Sequence, residues 1–420
     1  MPQANTPVIL GLKKSFGFGD RLGLAGPGHI AALEKSTFYG MLAQQSMREL
    51  TRSRRRADQV VEAARTAVEA AHFTRPWGAD ADHLKTVEDV AHTAKAGFTF
   101  FTLDPSASVA NAADTMSEDE LRAETGKLAA EGLLPGDWPR RYLDGKWEVD
   151  NGPPLTFDEE SLLRAAVKYT RATATCARLY QAVAEHCTSR PFEVEIAVDE
   201  TSAPTSHREH LFLALELKRR GVSFISLAPR FVGKFEKGID YVGDIAAFND
   251  ELKRHVAIAR TLGPYKISVH SGSDKFSLYP SIGRICGDLL HVKTAGTSYL
   301  EALRVVWRTD PELFREIAHY AAEHFEEEKT SFLISTTDEE VAALARDWPV
   351  DPESAYFEER VGRQLLHVTF GSVLVLGRRP SGLPFNEAIR ESLHTHAGEY
   401  RQTLEACFTR HLSLLESESA

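Results

Sequence analysis

Short apolar runs that break into small and polar residues recur along this chain, and longer stretches with helical spacing separate them. Tyr265-Lys-Ile-Ser-Val-His270 breaks into Ser271-Gly-Ser-Asp-Lys275, and Leu289-Leu-His-Val-Lys-Thr294 into Ala295-Gly-Thr-Ser298. A strand-like run, a polar turn and a helix, repeated, is the pattern of βα units in a parallel sheet. Further strand candidates are Val8-Ile-Leu-Gly-Leu12, the segment ending in Trp77-Gly-Ala-Asp-Ala-Asp-His83-Leu-Lys85, Phe98 to Asp104, Phe192 to Thr201, Val222 to Arg230, and Leu365 to Val375 with His367 inside it. Helical spacing covers Ala31 to His72, Phe157 to Cys187, Asp244 to Leu262, Glu301 to Glu328 and about Asn386 to Leu415. Thr86 with Asp89, and Ser206 with Glu209, are spaced as capping boxes. Eight strand candidates alternating with helices predict an α/β fold, a (β/α)8 TIM-type barrel, with a doubly wound open sheet as the runner-up. Residues 106–160 lose the alternation and carry Pro135-Gly, Asp137-Trp-Pro and Asn151-Gly-Pro-Pro. The single domain, 1–420, is therefore expected to hold a helical insertion after its third strand, placed to act as a lid, and to end in a helix.

Composition narrows the classes of function. The chain is 43% hydrophobic and 26% charged, and its formal net charge of -11 opposes the cationic surface that phosphate binding needs. One basic cluster, Arg52-Ser-Arg-Arg-Arg56, lies in a helical pattern and is expected on a solvated face. No apolar run is long enough to span a bilayer, and the N-terminus lacks a signal pattern. Cys176, Cys187, Cys286 and Cys407 are scattered without a CxxC pair, which argues against a disulfide framework or a zinc ribbon. The expectation is a cytoplasmic enzyme that binds neither nucleic acid nor membrane; nothing in the pattern excludes a homo-oligomer.

In parallel barrels the chemistry gathers at the C-terminal ends of the strands, where the loops converge. Glu200, Asp240, His270 and His291 stand at or near such ends and form a mixed oxygen and nitrogen set suited to a borderline divalent cation: Zn, Mn, Fe, Co or Ni. Lys293 shares the inward face of His291 by period two. It is expected to hold an oxyanion or carboxylate, or to form a Schiff base if its pKa is depressed. Asp80, Asp82, His83 and Lys85 crowd together ahead of a helix start, and Asp104 closes another strand. Glu193 and Glu195 alternate within a strand, where carboxylates need a cation or donor. The glycines from Gly11 to Gly28 begin as Gly17-x-Gly19, but Leu22 stands where a dinucleotide fingerprint needs its third glycine. Asp20, Arg21 and His29 in that segment remain candidate site residues. His207 and His210, three apart on a helix, suit capping or exposed positions better than a metal; His394 and His396, two apart, point to different faces.

Several strings carry a resemblance. Ser15-Phe-Gly-Phe-Gly-Asp-Arg-Leu-Gly, Gly78-Ala-Asp-Ala-Asp-His-Leu-Lys-Thr, Val198-Asp-Glu-Thr, Leu227-Ala-Pro-Arg-Phe-Val-Gly-Lys-Phe-Glu-Lys-Gly-Ile-Asp-Tyr241, Val269-His-Ser-Gly-Ser-Asp-Lys-Phe-Ser and His291-Val-Lys-Thr-Ala-Gly-Thr-Ser-Tyr-Leu-Glu-Ala-Leu resemble the tagaturonate epimerase family over most of the chain. The resemblance is weakest in 106–160 and the last thirty residues. It implies a metal-dependent barrel enzyme that interconverts D-tagaturonate and D-fructuronate by inverting C4, with Glu200, Asp240 and His270 as ligands and His291 as a fourth candidate. C4 is not adjacent to the C2 ketone, so enolisation alone cannot invert it. Retro-aldol cleavage between C3 and C4 can, with a metal stabilising the enediolate and proton carriers serving the C4 hydroxyl. Candidates for proton transfer are Asp104, Asp82, His83 and Lys85; for the C6 carboxylate, Arg21, Arg230, Lys275 and Lys293. Hydride removal at C4 would need an acceptor, and no nucleotide fingerprint supplies one. An aldolase or keto-enol isomerase of acidic sugars, and a non-catalytic sugar-acid sensor, are the alternatives.

Overall fold

Eight parallel strands close on one another in sequence order: β1 (Ser15–Gly19), β2 (Tyr39–Ser46), β3 (Gly78–Leu84), β4 (Phe100–Leu103), β5 (Glu193–Ala197), β6 (Ser226–Ala228), β7 (Lys266–Val269) and β8 (Leu290–Lys293). The computed structural model describes residues 5–150 and 152–417; Asn151, in the predicted break, lies outside the described residues. The predicted (β/α)8 barrel is present, but its strand count comes right because two false strands, at 8–12 and 365–375, stand in for two missed ones, Ser15–Gly19 and Tyr39–Ser46. Tyr39–Ser46 is a strand where helix is expected, because Met41, Leu42, Ala43 and the two glutamines are good helix formers and burial between neighbouring strands overrides that propensity. Leu365 to Val375, expected as a strand, lies in two short helices, Arg360–Val368 and Phe370–Val375, buried in the C-terminal helical layer. A continuous apolar run does not distinguish a buried helix from a buried strand.

Val8 to Leu12 is not a strand either. Leu10 packs with Met41 and Phe100, and the Leu10 and Gly11 amides donate to the Glu193 carboxylate, so this segment plugs the N-terminal end of the barrel. The glycine pair of the false fingerprint lies inside β1, where a Cβ on Gly19 would come within 2.4 Å of the Ala295 carbonyl oxygen. Close approach of β1 to the turn after β8, not a nucleotide, requires that glycine.

The insertion follows β4 once β2 is counted. It holds the helices Glu118–Ala130 and Trp138–Leu143 and lies against the long helix Glu159–His186. Both predicted capping boxes form, at Thr86 with Asp89 and at Ser206 with Glu209. The predicted last helix is two, Phe385–Thr395 and Ala397–Glu416, and the second packs on the helix Gly26–Leu33. A Cβ on Gly28 would meet the Leu404 Cβ at 2.4 Å, so the glycine sets how closely these helices approach. The four cysteines are free, and among the described residues no helix is long and apolar enough to cross a membrane.

Candidate active site

Barrel interiors are ordinarily filled with branched apolar side chains. Here alternate inward positions of β3, β5, β7 and β8 carry charge, stacked in layers. In the lowest, Lys266 Nζ donates to Ser15 Oγ at 3.1 Å, and Ser15 Oγ lies 2.9 Å from His291 Nδ1. One layer higher Lys293 Nζ meets Asp80, Asp82 and Glu195, each at 2.8 Å, and donates to Thr102 Oγ1 at 2.6 Å. Burial works against this ammonium, but the three carboxylates outweigh it and raise its pKa well above the ordinary lysine value. Lys293 is therefore no Schiff-base nucleophile of depressed pKa; it ties its own strand, β8, to the carboxylates of β3 and β5.

The next layer is the rim. His270 ends β7 with its Nε2 2.7 Å from Glu195 Oε1 and its Nδ1 3.1 Å from Asp199 Oδ1. The second approach is an ion pair without hydrogen-bond geometry, so His270 Nδ1 and Asp199 Oδ1 are matched in charge but make no hydrogen bond among the described residues. His83 near the end of β3 adopts a left-handed backbone (φ +54°), which is costly for a residue other than glycine and turns its ring over the barrel mouth. Its Nδ1 is 3.0 Å from Asp104 Oδ2 and its Nε2 3.8 Å from Asp82 Oδ1. Burial opposes protonation of both rings, yet Asp82, Asp104 and Asp199 raise His83 to about 9, and Asp199 and Glu195 raise His270 to about 10.

Ligand atoms of Asp82, His83 and His270 lie within 4.8 Å of one another, as do those of His83, Asp104 and Glu200. Each imidazole gives one ring nitrogen to a buried carboxylate, the arrangement that orients metal-binding histidines. A divalent cation fits this corner if it displaces the protons that the same carboxylates favour on the two imidazoles, since ligand atoms of Asp82, His83 and His270 converge there and buried carboxylates brace both rings.

The expected ligand set does not converge. His270 is at the corner, but His291 is sealed one layer below Lys293 against Ser15. Asp240 lies outside the cavity and accepts from the Ser277 amide and hydroxyl. Glu200 stands at the rim, 3.1 Å from Arg48 and 3.6 Å from Lys85. The expected proton carriers do gather: Asp82 and His83 face the cavity, and Asp104 sits behind His83, 3.2 Å from Lys85. Of the expected carboxylate receptors, Lys275 is buried elsewhere, its ammonium donating to the Glu236, Ile239 and Ser273 carbonyls. Arg21 reaches the cavity but is tied to Glu49 at 2.9 Å and to the His367 carbonyl at 3.0 Å. Asp20 is used locally, accepting from the Leu22, Gly23 and Ala25 amides, and His29 is bonded to Ser298. Arg230 lines the cavity.

The cavity holds about 270 Å³, and none of its lining residues comes from 106–160. Its roof is Ser331, Phe332 and Leu333, with His367 beside them. Arg48 and Arg52 hold that roof, donating to the Ser331 carbonyl at 3.0 Å and hydroxyl at 2.8 Å and lying over the Phe332 ring. Sequence reading missed Arg48 because the strand it follows, β2, reads as helix, and missed the roof and Lys237 because neither lies on a strand end.

A parallel barrel whose C-terminal rim turns imidazoles, carboxylates and cations onto one cavity is the architecture of an enzyme acting on a small molecule. A family model described as tagaturonate epimerase matches residues 3–415. The tagaturonate/fructuronate epimerase of Thermotoga maritima is 42% identical over 410 residues, covering 98% of this chain and 82% of that protein. The native and glycerol-bound crystal structures of fructuronate-tagaturonate epimerase from Cohnella laeviribosi align with TM-scores of 0.89 at 38% and 37% identity, over 98% of this chain and 83% of theirs. The chain belongs to the tagaturonate epimerase family, and it is an isomerase of the carbohydrate-epimerase class.

Proposed function

We propose that this chain interconverts D-tagaturonate and D-fructuronate by inverting C4, in hexuronate catabolism, and that it does so with a divalent metal ion held by Asp82, His83 and His270. The names of its relatives support the substrate pair. The observation that carries the metal is the wiring of the two imidazoles, each braced by a buried carboxylate, with ligand atoms of both close to Asp82. When bound, such an ion supplies Lewis-acid stabilisation for negative charge developing on the substrate's C2 oxygen.

The chain's own groups account for the rest. Glu200 faces the cavity and bonds to neither histidine, so its carboxylate, held at the rim by Arg48 and Lys85, is placed to take the C4 hydroxyl proton. The bond between C3 and C4 then breaks, leaving an aldehyde at C4 and an enediolate over C2 and C3. Both fragments stay in the cavity beneath the roof of Ser331 to Leu333 while the aldehyde turns over. The bond re-forms on its other face, and the proton returns from Glu200 to the C4 oxygen. Lys85, within ion-pair reach of Glu200, orients its carboxylate at the rim, and Lys293 fixes the height of Asp82 in the barrel.

Elemental analysis of the purified protein before and after chelation, followed by incubation with D-fructuronate, tests this reading. The expected outcome is a divalent metal near one per chain, activity lost on chelation and restored by the metal, and D-tagaturonate formed without fragments. Accumulating three-carbon products, or an aldose, would replace the reading with an aldolase or a keto-enol isomerase. Absence of turnover, with ligand affinity intact in His270→Ala, would leave a sensor.

A further inference from the structure

The cations around the cavity divide into two kinds. Lys293 meets three carboxylates, Arg21 meets Glu49, Arg48 meets Glu200, and Lys85 meets Asp104 and Glu200. Their charge is committed. Lys237 and Arg230 also line the cavity, on the segment after β6, and neither has a carboxylate within ion-pair distance among the described residues. Lys237 is held in place from three directions. Its amide donates to the Leu333 carbonyl of the roof at 3.3 Å, its carbonyl accepts from Gln364 at 3.2 Å, and its ammonium donates to Ser271 Oγ at 2.6 Å. Ser271 follows His270 directly and has a left-handed backbone (φ +49°), so the turn that ends β7 also fixes the ammonium. The Arg230 guanidinium has no comparable anchors among the described residues.

A positioned ammonium whose one side-chain partner is a neutral hydroxyl is expensive to keep withdrawn from water. Burial, then the neighbouring Arg48, push its pKa below the ordinary lysine value. An anion entering the cavity would remove that penalty. We propose that Lys237 receives the substrate's C6 carboxylate and so selects a sugar acid over the matching neutral ketose. The assignment rests on the uronate-epimerase reading above. Pairing across the cavity would draw the far end of the acid toward the roof, and the roof to which Lys237 is bonded would close over it.

The test uses the full-length, metal-replete protein with D-fructuronate, comparing wild type, Lys237→Gln and Lys237→Arg. Circular dichroism and melting temperature establish that each variant is folded. Lys237→Gln is expected to raise KM for D-fructuronate about 100-fold, the usual scale for a lost charge-assisted hydrogen bond, with a smaller change in kcat. Lys237→Arg restores KM to within about tenfold, because a charge rather than a shape is being read. Calorimetric binding of D-fructuronate and D-fructose supplies the second readout: the preference for the acid collapses in Lys237→Gln. An unchanged KM overturns the assignment in favour of Arg230. A fall in kcat with KM intact, or equal behaviour of the two variants, overturns it in favour of a structural or proton-transfer role. Wild-type protein that does not turn over D-fructuronate overturns the functional reading itself, a different result from either.

Discussion

Two buried clusters of histidine occur in this barrel, and they behave in opposite ways. At the rim, His83 and His270 stand 5.1 Å apart between ring centres, each braced by a carboxylate, and their protonated forms are favoured. In the helical layer outside β7, His210 Nδ1 lies 2.9 Å from His255 Nδ1, and its Nε2 lies 2.8 Å from the Tyr265 hydroxyl; His207 packs on His255. No carboxylate comes within ion-pair distance of these three rings among the described residues. Burial pushes His210 down to about 3 and His255 well below its usual range. The same side chain thus takes a charged form braced by carboxylates at the rim, where a divalent cation would compete with protons for its ring nitrogens, and a neutral hydrogen-bonded form where aspartates and glutamates are absent. Histidine count alone does not mark a site; the carboxylate behind each ring does.

The contrast breaks most sharply under substitution of the rim. His270→Ala or His83→Ala is expected to remove bound metal and lower turnover by at least ~1000-fold, about 4 kcal/mol of transition-state stabilisation, while the chain stays folded. Steady-state assays paired with elemental analysis check this, and retained activity in either variant would sink the metal corner. Glu195→Gln is the next largest. It removes the brace behind His270 and one of the three carboxylates around Lys293, so metal affinity should fall about 10- to 100-fold without the site being abolished. Competition against a chelator of known affinity measures it.

These positions also show what the sequence could and could not convey. Period two placed His291 and Lys293 on one inner face correctly. It did not give their height, and two residues along a strand is roughly 6.6 Å, enough to move His291 from the rim to a sealed layer beneath it. Asp82 and His83 were singled out because titratable residues crowd there, but as proton carriers, since nothing local shows that β3 and β7 bring them to His270 across the barrel. Asp240 and Lys275 failed for another reason: the loops after β6 and β7 are tied to each other, Asp240 accepting from Ser277 and Lys275 donating to the Glu236 and Ile239 carbonyls. The roof at Ser331 to Leu333 was unreadable, because it reaches the cavity from the C-terminal helices through contacts with Arg48 and Arg52, far away in sequence.

The helical cluster makes the complementary prediction. His210→Phe should leave kcat within about twofold but cost about 1–3 kcal/mol of stability, because His255 and Tyr265 each lose a buried partner. Denaturant unfolding read beside activity separates the two. If the variant loses activity at full stability, the cluster is not the inert counterpart that the comparison requires.

The smallest effect is the most specific. His210 and His255 are held neutral in the folded chain, whereas in the unfolded chain each binds a proton near pH 6.5. Between about pH 6.5 and 3 the unfolded state therefore carries the extra proton on His210, and stability falls as the pH falls through that window. A group shifted in this way contributes about 1.4 kcal/mol per pH unit inside it. In the metal-free chain the rim histidines, with raised values, run the other way: their contribution is complete below pH 6.5 and disappears as the pH rises toward about 9 and 10. His210→Gln should thus flatten the acid limb of the stability curve relative to wild type and leave the alkaline limb alone. Unfolding free energies at pH 4.5, 5.5 and 7, taken as differences between the two proteins, isolate that slope. Equal slopes would show that His210 is protonated in the folded chain, and that the two clusters differ less than their surroundings suggest.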